Sequence, residues 1–295
     1  MHPAPSIILF STLSGLGFGL LAFLGLGAPA PTGWVAFVFY AVAFALAVGG
    51  LISSTFHLGR PERAWRAFTQ WRTSWLSREG CVAVAALLIM GIVALAQIFW
   101  DRPLPLLGGI GAVLCLITVF STSMIYASLR TVPRWHDLTT PALFLAWSVA
   151  GGALLAAHTT LAGGLLLAAL AIQIAHWLRG DTALRRSGTT LGTATGLTGG
   201  ALRSFEPPHT GGNYLTQEMV FLIGRKHARN LRIIAAVLGG ALPAALLLLA
   251  PAGHVVAGLA LLSHLAGLIV TRWLFFAEAE HVVGLYYGAH RGKTA

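Results

Sequence analysis

The chain predicts an all-α integral membrane protein, a bundle of eight transmembrane helices forming a single polytopic domain over residues 1–295. Three observations carry this. Hydrophobic residues make up 56% and charged residues 9% of the chain, against roughly 25% charged in soluble domains, so water is not its main solvent. Eight apolar runs approach the length of about 20 residues that a helix needs to cross hydrocarbon. Thirty-five glycines, ruinous to a helical protein in water, let helix backbones approach closely in lipid, where no hydrophobic force drives packing.

The first span, about 6–27, is followed by the small-residue stretch Gly27-Ala28-Pro29-Ala30-Pro31, which resembles the end of a secretion signal. It lacks a positive flank and its apolar run is too long for a signal, so it reads as a span, with Gly15, Gly17 and Gly19 as a packing face. The second span, 34–57, ends at His57. Pro61 then suits the first turn of a helix, with Glu62 at its positive end, and a short interfacial helix over 61–72 follows. Trp65, Phe68, Trp71 and Trp75 belong at headgroup level, where amphipathic rings collect. The third span, 80–100, starts directly after Glu79. The fourth, 105–129, carries Gly108, Gly109 and Gly111 and ends near Tyr126 and Arg130. Spans at 138–157 and 160–179 precede a long loop, 180–230, whose first half is rich in Gly and Thr. Spans at 231–251 and 253–277 complete the eight, and Pro243 kinks the first of these two.

Charge orients the bundle. With eight spans, both termini and loops 2, 4 and 6 share one side, which holds eighteen of the nineteen Lys and Arg; Arg102 alone lies opposite. Basic residues of short loops stay inside, so both termini and the His57 loop are expected to face the cytoplasm of a bacterial inner membrane crossed many times. Attraction to anionic lipid accounts for much of this excess, at about 1 kcal/mol per basic residue near the surface. Eight basic groups on one long loop also suit a docking protein. Cys81 and Cys115 have no Cys-x-x-Cys spacing, so a disulfide framework, an iron–sulfur cluster or another metal site in this chain is not expected. No nucleic-acid motif is present.

Loop 2 holds five of the nineteen basic residues, and His57 and Glu79 meet it from the ends of spans two and three. Antiparallel packing places the pair at one membrane depth. Imidazole titrates near neutral pH and donates to carbonyl oxygens, while an interfacial carboxyl passes protons in from water. The alternative has His57 capping a helix and Glu79 pairing with Arg78. Arg60, Arg63, Arg66 and Arg72 suit lipid phosphates, and Tyr126 and Arg130, one turn apart, either line the cavity of His57 or sit at the interface unaided. Haem competes as a cofactor, but among His158, His176, His254 and His264 only His176 shares a depth with His57. A transporter would show inverted repeats with broken helices, and no convincing repeat is visible.

The HLGRPERAWRAF start of loop 2, its SWLSREG end, the SMIYASLRTVPRWH stretch at 123–136 and the EPPHTGGNYL stretch of loop 6 resemble the membrane-anchor subunits of the dimethyl sulfoxide reductase family. The match spans the chain, and the wording of HLGRPERAW and EPPHTG is closer to the anchors of cytoplasmic sulfite dehydrogenase complexes. The resemblance implies a quinone-reacting anchor without haem or iron–sulfur cluster of its own, the quinone being ubiquinone or menaquinone. Its implied partners are a ferredoxin-like iron–sulfur subunit and a molybdopterin catalytic subunit, most consistent with sulfite oxidation coupled to quinone reduction. It also implies that His57 binds a quinone carbonyl and exchanges its proton, that Glu79 relays protons, and that Arg60, Arg63, Tyr126 and Arg130 line the pocket. The alternative within the family is quinol oxidation by a dimethyl sulfoxide reductase.

Overall fold

The computed structural model describes residues 2–57, 60–197, 199–200, 202–203, 205–206, 219 and 227–287. The side chains of His57, Pro61 and Tyr287 lie outside that description, as do positions 207–215 of the EPPHTGGNYL stretch. Among the described residues all regular structure is helical. Its long helices are α1 (Pro5–Gly25), α2 (Gly33–Ser53), α3 (Trp75–Trp100), α4 (Pro105–Ala127), α5 (Thr139–Leu155), α6 (Thr159–Gly180), α7 (Ala228–Leu249) and α8 (His254–Ala277). Seven are long and apolar enough to cross a membrane; α5, with 17 residues, is the shorter eighth. At about 1.5 Å per residue it measures roughly 25 Å, the low end of what spans hydrocarbon. Pro5 and Pro105 sit in first turns, where their missing N–H groups are not needed.

Side-chain bonds show which helix ends share a face. Ser53 Oγ at the end of α2 donates to Ser6 O at the start of α1 (2.9 Å). Thr122 near the end of α4 bonds Glu79 near the start of α3. Arg179 at the end of α6 holds Asp137 just before α5 (2.6 Å), and Arg232 in α7 holds Glu278 just after α8 (2.7 Å). The helices therefore alternate in direction, and loops 2 and 4 and the two stems of loop 6 gather on one face.

Helix α1 is the centre of the bundle: 78% of its apolar window is buried inside the protein, against 28% for α2, α7 and α8. It packs against α2, α4, α5 and α8. Two glycines permit this. A Cβ at Gly17 would run into the Ala47 backbone of α2, and one at Gly19 would run into Ser148 of α5. Ser148 Oγ then reaches Gly15 O at 2.6 Å, a bond between neighbouring helices that only small residues bring this close.

Pro243 does more than kink α7. Proline has no N–H to offer the carbonyl four residues back, which orphans Gly239 O, and the helix passes through a π turn at Val237–Ala241. Helix α8 supplies the missing donors: His264 Nδ1 lies 2.8 Å from Gly239 O, and Ser263 Oγ donates to Leu238 O at 2.9 Å. His264 is fully buried, so its place is accounted for by helix repair. Replacing His264 by Leu should destabilise the protein by about 1–3 kcal/mol, the cost of an unsatisfied buried carbonyl, while Pro243→Ala in the same chain should recover part of it. Thermal melts of the solubilised protein would show both, and an unchanged melting temperature for His264→Leu would contradict the repair.

Candidate functional site

Loop 2 folds back on the start of α3. A 3-10 turn, Ser54–His57, leads out of α2, and a second 3-10 helix, Pro61–Phe68, follows. The interfacial helix is thus shorter than the expected 61–72 and more tightly wound; Thr69 Oγ1 closes it on Arg66 O (2.8 Å). Phe68 seats on Gly80, where a Cβ would come within 3.3 Å of the ring. Arg78 pins the return of the loop: Nε donates to Trp71 O (3.0 Å), Nη2 donates to Arg72 O (2.6 Å), and the guanidinium lies over Trp75 at 4.4 Å. Arg78 is therefore committed to the loop, and Glu79 has a different partner. Trp65, Phe68 and Trp71 are exposed, with Arg66 and Arg72 over the rings of Trp65 and Trp71, as suits a headgroup-level surface.

Helix α3 starts five residues earlier than the span expected from hydropathy, so Glu79 stands inside the helix and not ahead of it. Its carboxyl is 3% exposed and makes no ion pair with any described residue. Thr122 Oγ1 of α4 donates to Glu79 Oε1, and the same hydroxyl lies 3.0 Å from Thr118 O. One hydroxyl has one proton to give, and that suits a carboxyl that changes state. When Glu79 is ionised, Thr122 donates to it. When Glu79 is protonated, its own O–H donates to Thr122 Oγ1, and the threonine proton turns to Thr118 O. The Thr122 hydroxyl has a partner in either state.

One turn along α4, Tyr126 is the hub of an aromatic cluster. Its ring centroid lies 5.2 Å from Trp135, 5.8 Å from Phe144 of α5, and 5.4 Å from both Phe275 and Phe276 of α8. Trp135 donates from Nε1 to Phe275 O (3.0 Å), which fixes loop 4 to α8. Arg272 of α8, 1% exposed, lies over Phe144 at 3.8 Å. His176 of α6 stacks near Phe275 at 5.9 Å, with Nδ1 2.9 Å from Thr139 Oγ1.

Beside this layer a closed ring of charges ties four elements together. Arg134 of loop 4 holds Asp181 (2.7 Å); Asp181, just past α6, takes two bonds from Arg232 of α7 (2.5 and 2.8 Å); Arg232 holds Glu278 (2.7 Å); and Glu278 faces Arg134 at 3.6 Å. Asp181 and Arg232 are the two stems of the long loop, so their bidentate bond closes its base. Burial works against charge on Asp181, but Arg232 and Arg134 overcome it and hold the carboxyl at about 2. Asp137 likewise titrates below the usual carboxylate range: partial burial acts to raise it, and the Arg179 fork with the Thr139 N–H outweighs that.

Of the residues singled out from sequence, Glu79 and Tyr126 come together through α4, whereas Arg60, Arg63 and Arg130 are exposed on the basic face. His57 closes the 3-10 turn above α2, its side chain outside the described residues. Sequence reasoning missed Thr122, an ordinary threonine in an apolar run, and singled out no role for Arg272. Its position five residues before the end of α8 was the available signal. Among the described residues no group of three or more His, Cys, Asp or Glu is arranged to hold a metal ion.

Comparison with known proteins shows the family to which the chain belongs. The chain is 35% identical to a sulfite dehydrogenase subunit of Allochromatium vinosum, in an alignment covering 97% of this chain and 99% of that relative. No solved structure matches it. The family model described as DMSO reductase anchor subunit (DmsC) matches residues 6–278, which is nearly the whole bundle and includes both arms of loop 2, and the chain belongs to that family of membrane anchors.

Proposed function

We propose that this chain anchors a molybdopterin oxidoreductase complex to the membrane and reacts with quinone there, with sulfite as the electron source. Sulfite and water give sulfate, two protons and two electrons at the partner subunits; quinone takes up two electrons and two protons at this chain to become quinol. The molybdopterin and the iron–sulfur clusters belong to the partners and supply the electrons. This chain's residues handle the protons and hold the complex.

The observation that carries the reading is Glu79. A buried carboxyl without an ion pair among the described residues is costly in a membrane, and its hydroxyl partner serves both protonation states. It lies beneath the loop whose other end is His57. In this reading His57 donates to a quinone carbonyl and passes on its proton, Glu79 replaces that proton from the aqueous side, and Arg60, Arg63, Arg130 and Tyr126 shape the approach. The eighteen-to-one charge count supports a cytoplasmic basic face, where a partner that is never exported would dock. The relative from Allochromatium vinosum, named as part of a sulfite dehydrogenase, favours sulfite over dimethyl sulfoxide.

The test is copurification. Tagged protein drawn from gently solubilised membranes should bring down a molybdopterin subunit without a twin-arginine signal, together with a ferredoxin-like subunit. A partner carrying that signal would favour the exported reductase, and absence of any redox partner would sink the anchor reading. In the isolated complex, His57→Ala should abolish electron transfer to a short-chain ubiquinone and leave sulfite oxidation by an artificial acceptor intact. Loss of both activities would mean failed assembly and no specific role for His57.

A further inference from the structure

Arg272 is a buried charge that the site described so far does not use. Its Nε and Nη1 are buried without a hydrogen-bond partner, and no described carboxylate forms an ion pair with it. The Phe144 face beneath it is a weak substitute for an anion, and an uncompensated cation at this depth is strongly disfavoured. A negative charge therefore has to lie within reach for part of the working cycle. Glu278, at the end of the same helix, is already held between Arg134 and Arg232. Glu79 is not.

The geometry links the two. Thr122 holds Glu79, and Tyr126 follows Thr122 by one turn of α4. The Tyr126 ring packs 5.8 Å from Phe144, the ring under Arg272. Tyr126 lies within electrostatic reach of both Glu79 and Arg272. Glu79 is four residues inside its end of α3 and Arg272 five residues inside its end of α8, so each stands a little over one turn in from the same face of the bundle.

We propose that Arg272 is the counter-charge of Glu79, balancing the carboxylate across Tyr126 whenever Glu79 has given up its proton. This rests on the reading of Glu79 as the proton carrier for quinone and adds the residue that makes its ionised form tenable in the bundle. Arg272 is a positioning residue. His176, beyond Phe275, also feels Arg272, together with Arg134, Asp137 and Arg232, and is the competing beneficiary.

The experiment compares Arg272→Met, Arg272→Lys, Glu79→Gln and the Arg272→Met/Glu79→Gln double variant in the complete membrane-bound complex. It reads turnover with a short-chain ubiquinone beside turnover with an artificial acceptor. Arg272→Met should lower quinone turnover at least tenfold with the artificial-acceptor rate unchanged, and Arg272→Lys should restore most of it. In the Glu79→Gln background Arg272→Met should have no further effect, since the charge to be balanced is gone. Equal fold-losses in both backgrounds would overturn the proposal, as would a loss that disappears when His176 is replaced by Gln. If the Met variant does not accumulate, Arg272→Gln, which keeps polarity and drops the charge, is read in the same way. Unchanged turnover in Glu79→Gln alone would defeat the underlying reading of Glu79 and this proposal with it; a slow Glu79→Gln with additive Arg272→Met would defeat only this one.

Discussion

Glu79→Gln is expected to slow quinone-coupled turnover on the order of a hundredfold, the usual effect of removing a positioned proton donor or acceptor, while the rate with an artificial acceptor stays at the wild-type level. The glutamine amide fits the same space and accepts the Thr122 hydrogen bond, so folding should be spared; what it cannot do is carry a proton. Thr122→Val should show a milder slowing, because the carboxyl then lacks the hydroxyl that serves both of its states. Steady-state assays with a short-chain ubiquinone check both, and wild-type turnover in Glu79→Gln would remove the relay from the mechanism.

Glu278→Ala should be the most damaging single change to stability. It leaves Arg134, 5% exposed, and Arg232 facing an empty corner, and breaking a buried pair by removing one member costs about 3 kcal/mol or more. The melting temperature of the solubilised protein should fall by several degrees, and limited proteolysis should cut the loop between α6 and α7 sooner, since the stems of that loop meet at the ring. The companion pH effect follows from Asp181. Its folded value of about 2 lies below its ordinary 3.8, so its contribution to stability is complete above about pH 4 and is lost as pH falls towards 2. Asp181→Asn should flatten that acid limb; an equally steep limb in the variant would place the acid sensitivity elsewhere.

The lipid-facing and packing logic of the fold was legible because hydropathy writes it directly: each long apolar run is a helix, and the glycines of the first span are where α2 and α5 come close. Helix ends were less legible. The register of α3 slipped because Trp75, Ser77 and Arg78 read as loop, although they form its first turns, and this placed Glu79 one turn deeper than sequence suggests. The site was visible in part. Glu79 announces itself as a carboxyl beside an apolar run, but Thr122 and Arg272 acquire meaning only when α4 and α8, far along the chain, are folded against α3 and α5. Pro243 shows the same limit. Sequence gives the kink, whereas the donors that repair it come from a different helix.

The enclosure of α1 bears on how the protein is made. Helix α1 precedes its neighbours in the chain and 78% of its apolar window is buried against them, so it must wait in the bilayer for α4, α5 and α8 to arrive. Its hydroxyls suit that wait: Ser11 donates to Ile7 O and Ser14 to Phe10 O within the helix itself, which leaves few polar groups begging for partners before neighbours exist. Bonds that do need a neighbour, such as Ser148 to Gly15 O, are donated from α5 once it inserts. Helix α1 thus behaves as a template, with two of its serines bonded within the helix and its packing face grooved by glycine, on which later segments are laid down in turn.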